Sequence, residues 1–189
     1  DIIHSNINDR PIYFSVTCQE SKLLNVNDYM QMEGLGLRIV PVRTPSQKEF
    51  YIYGSGRVDI DKVHDRVVNK WKWGNFDKMK LFVDKSYMAE VQAMKLVMLR
   101  AAIEFDRKGD PKKAVDMANK YFEAFPHMNF AYDSGIMPFI NVLVNSKDFE
   151  SAKKHLRILG EETKQYIEFY ESQTDKAVFD NFGQDYQYR

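Results

Sequence analysis

The sequence predicts an α+β fold, a small mixed sheet with short helices at the N-terminus followed by an all-helical array of about two hairpins. Three observations predict it. Ile12, Phe14 and Val16 alternate with Tyr13, Ser15 and Thr17, the two-residue period of a half-buried strand. From Ser86 onward the apolar residues recur at helical spacing instead. Between the two patterns lies an aromatic knot of Trp71, Trp73 and Phe76 around Gly74. The chain is therefore expected to divide into a sheet part over 1–76, a helical part over 77–171 sharing a core with it, and a polar tail over 172–189.

Ile2, Ile3 and Ile7 are spaced as the end of a helix leading into the first strand. The chain opens with neither an initiator Met nor a basic-then-apolar leader, so it reads as a domain excised from a longer protein. Pro11 stands at the first strand position, where a missing N–H does least harm. Asn27 or Asp28 is expected to cap one short helical turn that Gly34 ends, and Leu35, Leu37 and Ile39 alternate out of it as a second strand closed by Pro41. Thr44 to Lys48 is a turn by composition, and Phe50 to Tyr53 reads as a third strand stopped by Gly54-Ser55-Gly56. A helix follows behind Asp59 or Asp61, with Val63, Val67 and Val68 at helical spacing.

In the second half, Tyr87, Val91, Met94, Met98, Ala101, Ala102 and Phe105 form one stripe, which Gly109 closes. Asp110 caps the next helix with Pro111 at its first position, and Ala114, Val115, Ala118, Tyr121, Phe122 and Phe125 line it until Pro126. A third helix begins near Ser134 to Pro138 and runs to about Asn145. Asp148 caps a fourth, carrying Ala152, Leu156, Leu159, Tyr166, Ile167 and Tyr170, with Gly160 as a weak point. Gly109-Asp110 through Ala114 and Lys147-Asp148 through Ala152 occupy equivalent places, an offset of 38 residues. The tetratricopeptide period is about 34 residues, so the pattern is a degenerate TPR-like array. Two units are fewer than such arrays need to stand alone, so the sheet part is expected to cap them, with Trp73 and Phe76 against Met94, Met98 or Phe105.

Hydrophobic residues make up 44% of the chain and charged ones 29%, ordinary globular values. Lys+Arg and Asp+Glu number 27 each, so the chain as a whole has no electrostatic footprint for nucleic acid or an anionic surface. No apolar run approaches the roughly 20 residues that cross a bilayer. The lone Cys18 excludes an internal disulfide and a cysteine-based zinc cluster, and reads as a small, partly buried apolar side chain. His4, His64, His127 and His155 stand far apart without ligand spacing; they read as surface residues, and no metal site is expected. Gly34-x-Gly36 and Gly54-Ser-Gly56 lack the third glycine or the Lys-Ser/Thr of a phosphate loop. No catalytic residue and no cofactor is indicated.

Two constellations remain as candidate sites. Arg10 and Arg38 with Glu33 are either an Arg fork for a sugar-phosphate or lipid-phosphate, or an internal ion pair locking the segment onto the sheet. The ion pair is favoured, because a charge inside a strand-forming motif needs a partner to be buried. Trp71, Trp73 and Phe76 are either a sugar-stacking platform or an interdomain seam, and their place at the change of pattern favours the seam.

Asn8-x-Arg10-Pro11-Ile12-Tyr13-Phe14 with Thr17, then Tyr29-x-x-x-Glu33-Gly34-Leu35-x-x-Arg38-x-Val40-Pro41 and Lys72-Trp73-Gly74-Asn75, resembles the C-terminal soluble region of the DUF2723 family over roughly residues 1–170. These are multi-pass membrane proteins found chiefly in Bacteroidota and similar to protein O-mannosyltransferases. The resemblance implies a non-catalytic, periplasmic domain of a lipid-linked-sugar glycosyltransferase, partnered by its own transmembrane region and by a peptide or protein acceptor on the helical repeats.

Overall fold

The computed structural model describes residues 2–48, 54–173 and 176. Helix α1 (Ile2–Asn6) leads into β1 (Tyr13–Ser15), and two single 3-10 turns precede the hairpin of β2 (Met30–Met32) and β3 (Gly36–Ile39). Strand β4 (Arg57–Val58) runs into α2 (Ile60–Asp65). Asp59 caps α2 by accepting from Lys62 N–H, and the helix continues as a π turn over Arg66–Lys70, closed by Trp71 N–H on Arg66 C=O. The sheet order is β1-β3-β2-β4, antiparallel except for β2 with β4. It is the expected mixed sheet.

Two elements differ from the sequence reading: β4, a strand it did not give, and β2. The helical turn expected from Asn27 to Gly34 spans only Asn27–Tyr29, and Met30–Met32 are a strand. The physical reason is that Met30 and Met32 flank Gln31 with the period of two and pair with Ile39 and Leu37, so both enter the core. Gly34 does not end a helix. It takes φ 89° in the tight β2–β3 turn, which Glu33 N–H closes on Gly36 C=O at 2.9 Å. The third strand proposed for Phe50 to Tyr53 lies outside the described residues, as does most of the tail over 172–189.

Among the described residues four long helices follow: α3 (Met88–Arg107), α4 (Pro111–Ala124), α5 (Met137–Asn145) and α6 (Phe149–Glu171). α3 packs on α4 and α5, α4 on α5, and α5 on α6, the neighbour pattern of stacked hairpins. The repeat is visible atom by atom in the two hairpin turns. Asp110 N–H bonds Phe105 C=O and Asp148 N–H bonds Leu143 C=O, while each aspartate accepts from the N–H three residues on, in Lys113 and Ser151. Ala114 and Ala152 are both buried. Gly109 and Lys147 both take positive φ, 76° and 64°. α6 runs through Gly160 without a break.

Helix α3 is the spine. Val97 to Ala102 are buried at six consecutive positions, so this stretch is covered all round. α2 and β4 contact it as well as α4 and α5. Leu37, Met30 and Met32 from the sheet, Val63 and Val67 behind Asp59, and Phe105, Met117 and Phe139 from the helices belong to one contiguous cluster of buried residues. Within it lies one guanidinium. Arg100 is 2% exposed and donates to Gly54 C=O at 3.1 Å, Ser55 C=O at 3.4 Å, Gly56 C=O and Gln47 Oε1 at 2.9 Å, so α3 holds the segment entering β4 by its carbonyls.

The aromatic knot packs on the shared core and has its ring contacts at the far end of α4. Trp73 meets Trp71 and Phe125 edge-on, each at 5.6 Å, and Phe76 meets Phe130 at 5.1 Å. Those rings sit at the end of α4 and just beyond it, so its ring contacts are there rather than with α3. The cause is the short path from the π turn, which contacts α4 directly. Asn129 then clamps the following link, donating to Phe76 C=O at 2.7 Å and Met79 C=O at 2.8 Å and accepting from Leu81 N–H at 2.6 Å.

Candidate functional site

The sheet has an apolar and a polar face. Phe14, Leu37, Met32 and Val58 align across the strands toward the core, and Tyr13, Arg38, Gln31 and Arg57 align on the opposite side, because alternate residues of a strand point to opposite faces. Glu33, two residues beyond Gln31, extends that polar row and is 1% exposed.

Its carboxylate is met from all sides. Gln31 Nε2 and Lys62 Nζ donate to Oε1, both at 2.8 Å, and Tyr13 Oη donates to Oε2 at 2.8 Å. Arg38 stands 3.7 Å from Oε1 and Arg66 3.8 Å from Oε2. Gln31 is fixed in turn by Arg57 Nε at 2.6 Å and by Asp59. A Cβ on Gly34 would meet both Arg66 and Trp71 at 3.4 Å, so the turn lies directly beneath these two side chains. Burial by itself would raise the Glu33 carboxyl; the bonds from Lys62, Gln31 and Tyr13 outweigh it and hold the group at about 2. The Glu33 bond raises the Lys62 ammonium. Such a carboxylate is an anchor, since it does not exchange protons near neutral pH.

The structure thus brings Glu33 and Arg38 together and leaves Arg10 exposed, outside this cluster. Trp71, Trp73 and Phe76 form a half-buried group beside it, with Trp73 Nε1 finding no acceptor among the described residues. Sequence reasoning missed Lys62, Arg66, Gln31 and Tyr13. The parity of Tyr13 and Gln31 with Arg38 along their strands was the available signal.

His155 is a correction. It is 6% exposed, stacked on Phe122 with 3.5 Å between ring centroids, and its Nδ1 lies 3.1 Å from Tyr132 Oη. Burial first, then the Lys154 and His127 charges, lowers it to about 4. His64 is half-buried edge-on to Phe105. Among the described residues no three His, Cys, Asp or Glu side chains come together as a metal site. No helix there is long and apolar enough to cross a membrane.

These two groups carry the largest downward shifts and dominate the acid response, to which the lesser lowering of Asp28, Asp61, Asp65, Asp84 and Asp148 adds. His155 is neutral in the fold while the unfolded chain protonates near 6.5, so its contribution is complete above about pH 6.5 and is lost as pH falls toward 4. Glu33 contributes above about pH 4.5 and is lost as pH falls toward 2. Each shift corresponds to about 3 kcal/mol. Urea midpoints measured from pH 7.5 to 3 are expected to fall in two stages. His155→Gln should flatten the upper stage and Glu33→Gln the lower; an unchanged upper stage in His155→Gln would refute the assignment.

Residues 1–62 match the family model of TMEM260-associated domain 2. The match contains β1 to β4, Tyr13, Gln31, Glu33, Arg38 and Lys62, and it ends inside α2, short of Arg66 and the aromatic knot. No curated protein and no solved structure matches the chain.

Proposed function

We propose that this chain is the non-catalytic, extracytoplasmic C-terminal domain of a membrane-embedded, O-mannosyltransferase-like glycosyltransferase of the DUF2723 kind. It braces its own transmembrane region and presents protein acceptors to it from the periplasmic side. The observation that carries the reading is the match of residues 1–62 to a domain named for its association with TMEM260, a stretch that contains the Arg10-Pro11-Ile12-Tyr13-Phe14 and Glu33-Gly34-Leu35 motifs. Two further facts support it. The most convergent polar groups are used internally, with Glu33 held ionised and His155 held neutral. The stacked hairpins of α3 to α6 supply the kind of array that takes extended peptides.

The alternative is a carbohydrate- or lipid-phosphate-binding module, favoured by the residual exposure of Trp71 and of the Arg38 guanidinium. It uses Arg38 without Arg10, which lies apart. Two assays separate the readings. The isolated chain is expected to transfer no mannose from a lipid-linked donor to acceptor peptide, and the parent protein lacking this region is expected to lose transfer to protein acceptors. Transfer by the isolated chain sinks the non-catalytic reading. Full transfer by the truncated parent sinks the scaffold, and mannose-phosphate quenching of Trp71 fluorescence that Arg38→Ala abolishes would establish the alternative.

A further inference from the structure

The link between the aromatic knot and α3 holds apolar side chains outward. Phe82 is 92% exposed and Met79 52%, and Leu81, Tyr87 and Met88 are exposed as well. Single exposed apolar residues are ordinary; five within ten positions are not. The exposure is imposed by the backbone. Asn129 fixes the chain at Phe76, Met79 and Leu81, and Val83 packs against the core, so Phe82 between these anchors cannot turn inward.

The same stretch departs from the neutrality of the chain as a whole. From residue 70 to 85 there are lysines at 70, 72, 78, 80 and 85 against aspartates at 77 and 84. Lys70 is paired with Asp65, and Lys72, Lys78, Lys80 and Lys85 are exposed. Lys72 and Lys78 also line a pocket of about 470 Å³ with Trp71, Trp73, Asp77 and Lys120, the last of these paired with Glu123. Apolar tips, ammonium groups and indoles side by side match the layers of a bilayer surface, where acyl chains, anionic head groups and the polar boundary lie within a few ångströms of one another.

We infer that the Asp77–Met88 link is a docking loop for an anionic bilayer surface, in which Phe82 and Met79 enter the acyl boundary while Lys78 and Lys80 lie at head-group phosphates. The inference stands on this segment and does not rest on the parent-protein reading. Its test is co-sedimentation of the whole chain with vesicles of phosphatidylcholine alone and of phosphatidylcholine mixed with phosphatidylglycerol. Binding to the mixed vesicles is expected, weakening as salt is added because the lysine contribution is screened. Phe82→Ser should lower partitioning about tenfold or more, since a full aromatic burial is lost. Phe82→Leu should retain most of it, and Lys78→Gln with Lys80→Gln should lower it about fivefold per charge. All of these variants should melt at the wild-type temperature, because the side chains are exposed. The inference is overturned if neither vesicle binds, if Phe82→Ser binds as wild type does, if inorganic phosphate displaces the chain completely, or if Phe82 instead drives self-association without lipid.

Discussion

Arg100→Leu is expected to lower stability by about 4 kcal/mol or more, out of the 5–15 kcal/mol typical of a domain. The substitution keeps the apolar volume within α3 and removes the donors that Gly54, Ser55 and Gly56 carbonyls share. Those carbonyls stay buried, and each donor lost from a buried acceptor costs about 1–3 kcal/mol. Arg100→Lys should recover only part of the loss, because one ammonium cannot span a row of three carbonyls in the way the planar fork does. Arg107→Leu is the control: its ion pair with Glu104 is more than half exposed on the arginine side and should change stability by under about 1 kcal/mol. Urea unfolding of the three variants decides the matter, and an Arg100→Leu midpoint close to wild type would show that the carbonyl row does not depend on α3.

Gly56→Ala attacks the same joint from the other side and should be as damaging. A Cβ there would lie 1.7 Å from the Met30 carbonyl oxygen, and φ is +63°. The obstruction is backbone, so no rotamer relieves it; β2 and β4 must separate, with a loss of about 4 kcal/mol or more. Gly109→Ala gives the comparison, for its φ is +76° with nothing within 4 Å, which leaves only the conformational cost of about 1–2 kcal/mol. The double variant Arg100→Leu/Gly56→Ala should lose less than the two single losses combined, since the first break removes what the second would break. Equal effects of Gly56→Ala and Gly109→Ala in thermal melts would contradict the close approach.

The helical half was legible because its signals are local. Asp110 and Asp148 cap their own helices, and Pro111 and Gly109 mark the first turn within two residues. The sheet half was legible only where one strand could be judged alone. Met30–Met32 is only three residues long between the turn at Asn27–Tyr29 and Gly34, so the turn signals on both sides read as one helical turn, and its other partner β4 is two residues long and lies 26 positions on in register. Glu33 stood out as a charge in an apolar motif, yet Lys62 and Arg66 come from α2 and the π turn, a distance in sequence that no motif spans. On α6 the inward stripe runs through Ala152 and His155, leaving Leu156 exposed; a histidine three residues after a buried alanine satisfies the spacing as well as the leucine four after it. Arg100 followed Leu99 and preceded Ala101, and sequence does not distinguish a guanidinium that reaches water from one that reaches carbonyls.

Arg100 also sets an order of events on the ribosome. The carbonyls it binds precede it by 44, 45 and 46 residues, and Gln47 by 53. At roughly 5–20 residues per second of synthesis, the nascent sheet waits about 2–10 s for the side chain that secures its β4 margin. During that interval its unpaired edge is open to neighbouring chains; the hairpin of α3 and α4, built from near-sequence contacts, forms only afterwards, once α4 has followed Arg100. Residues 1–62 are thus a unit of sequence similarity that matures only after a helix translated later has reached back to it.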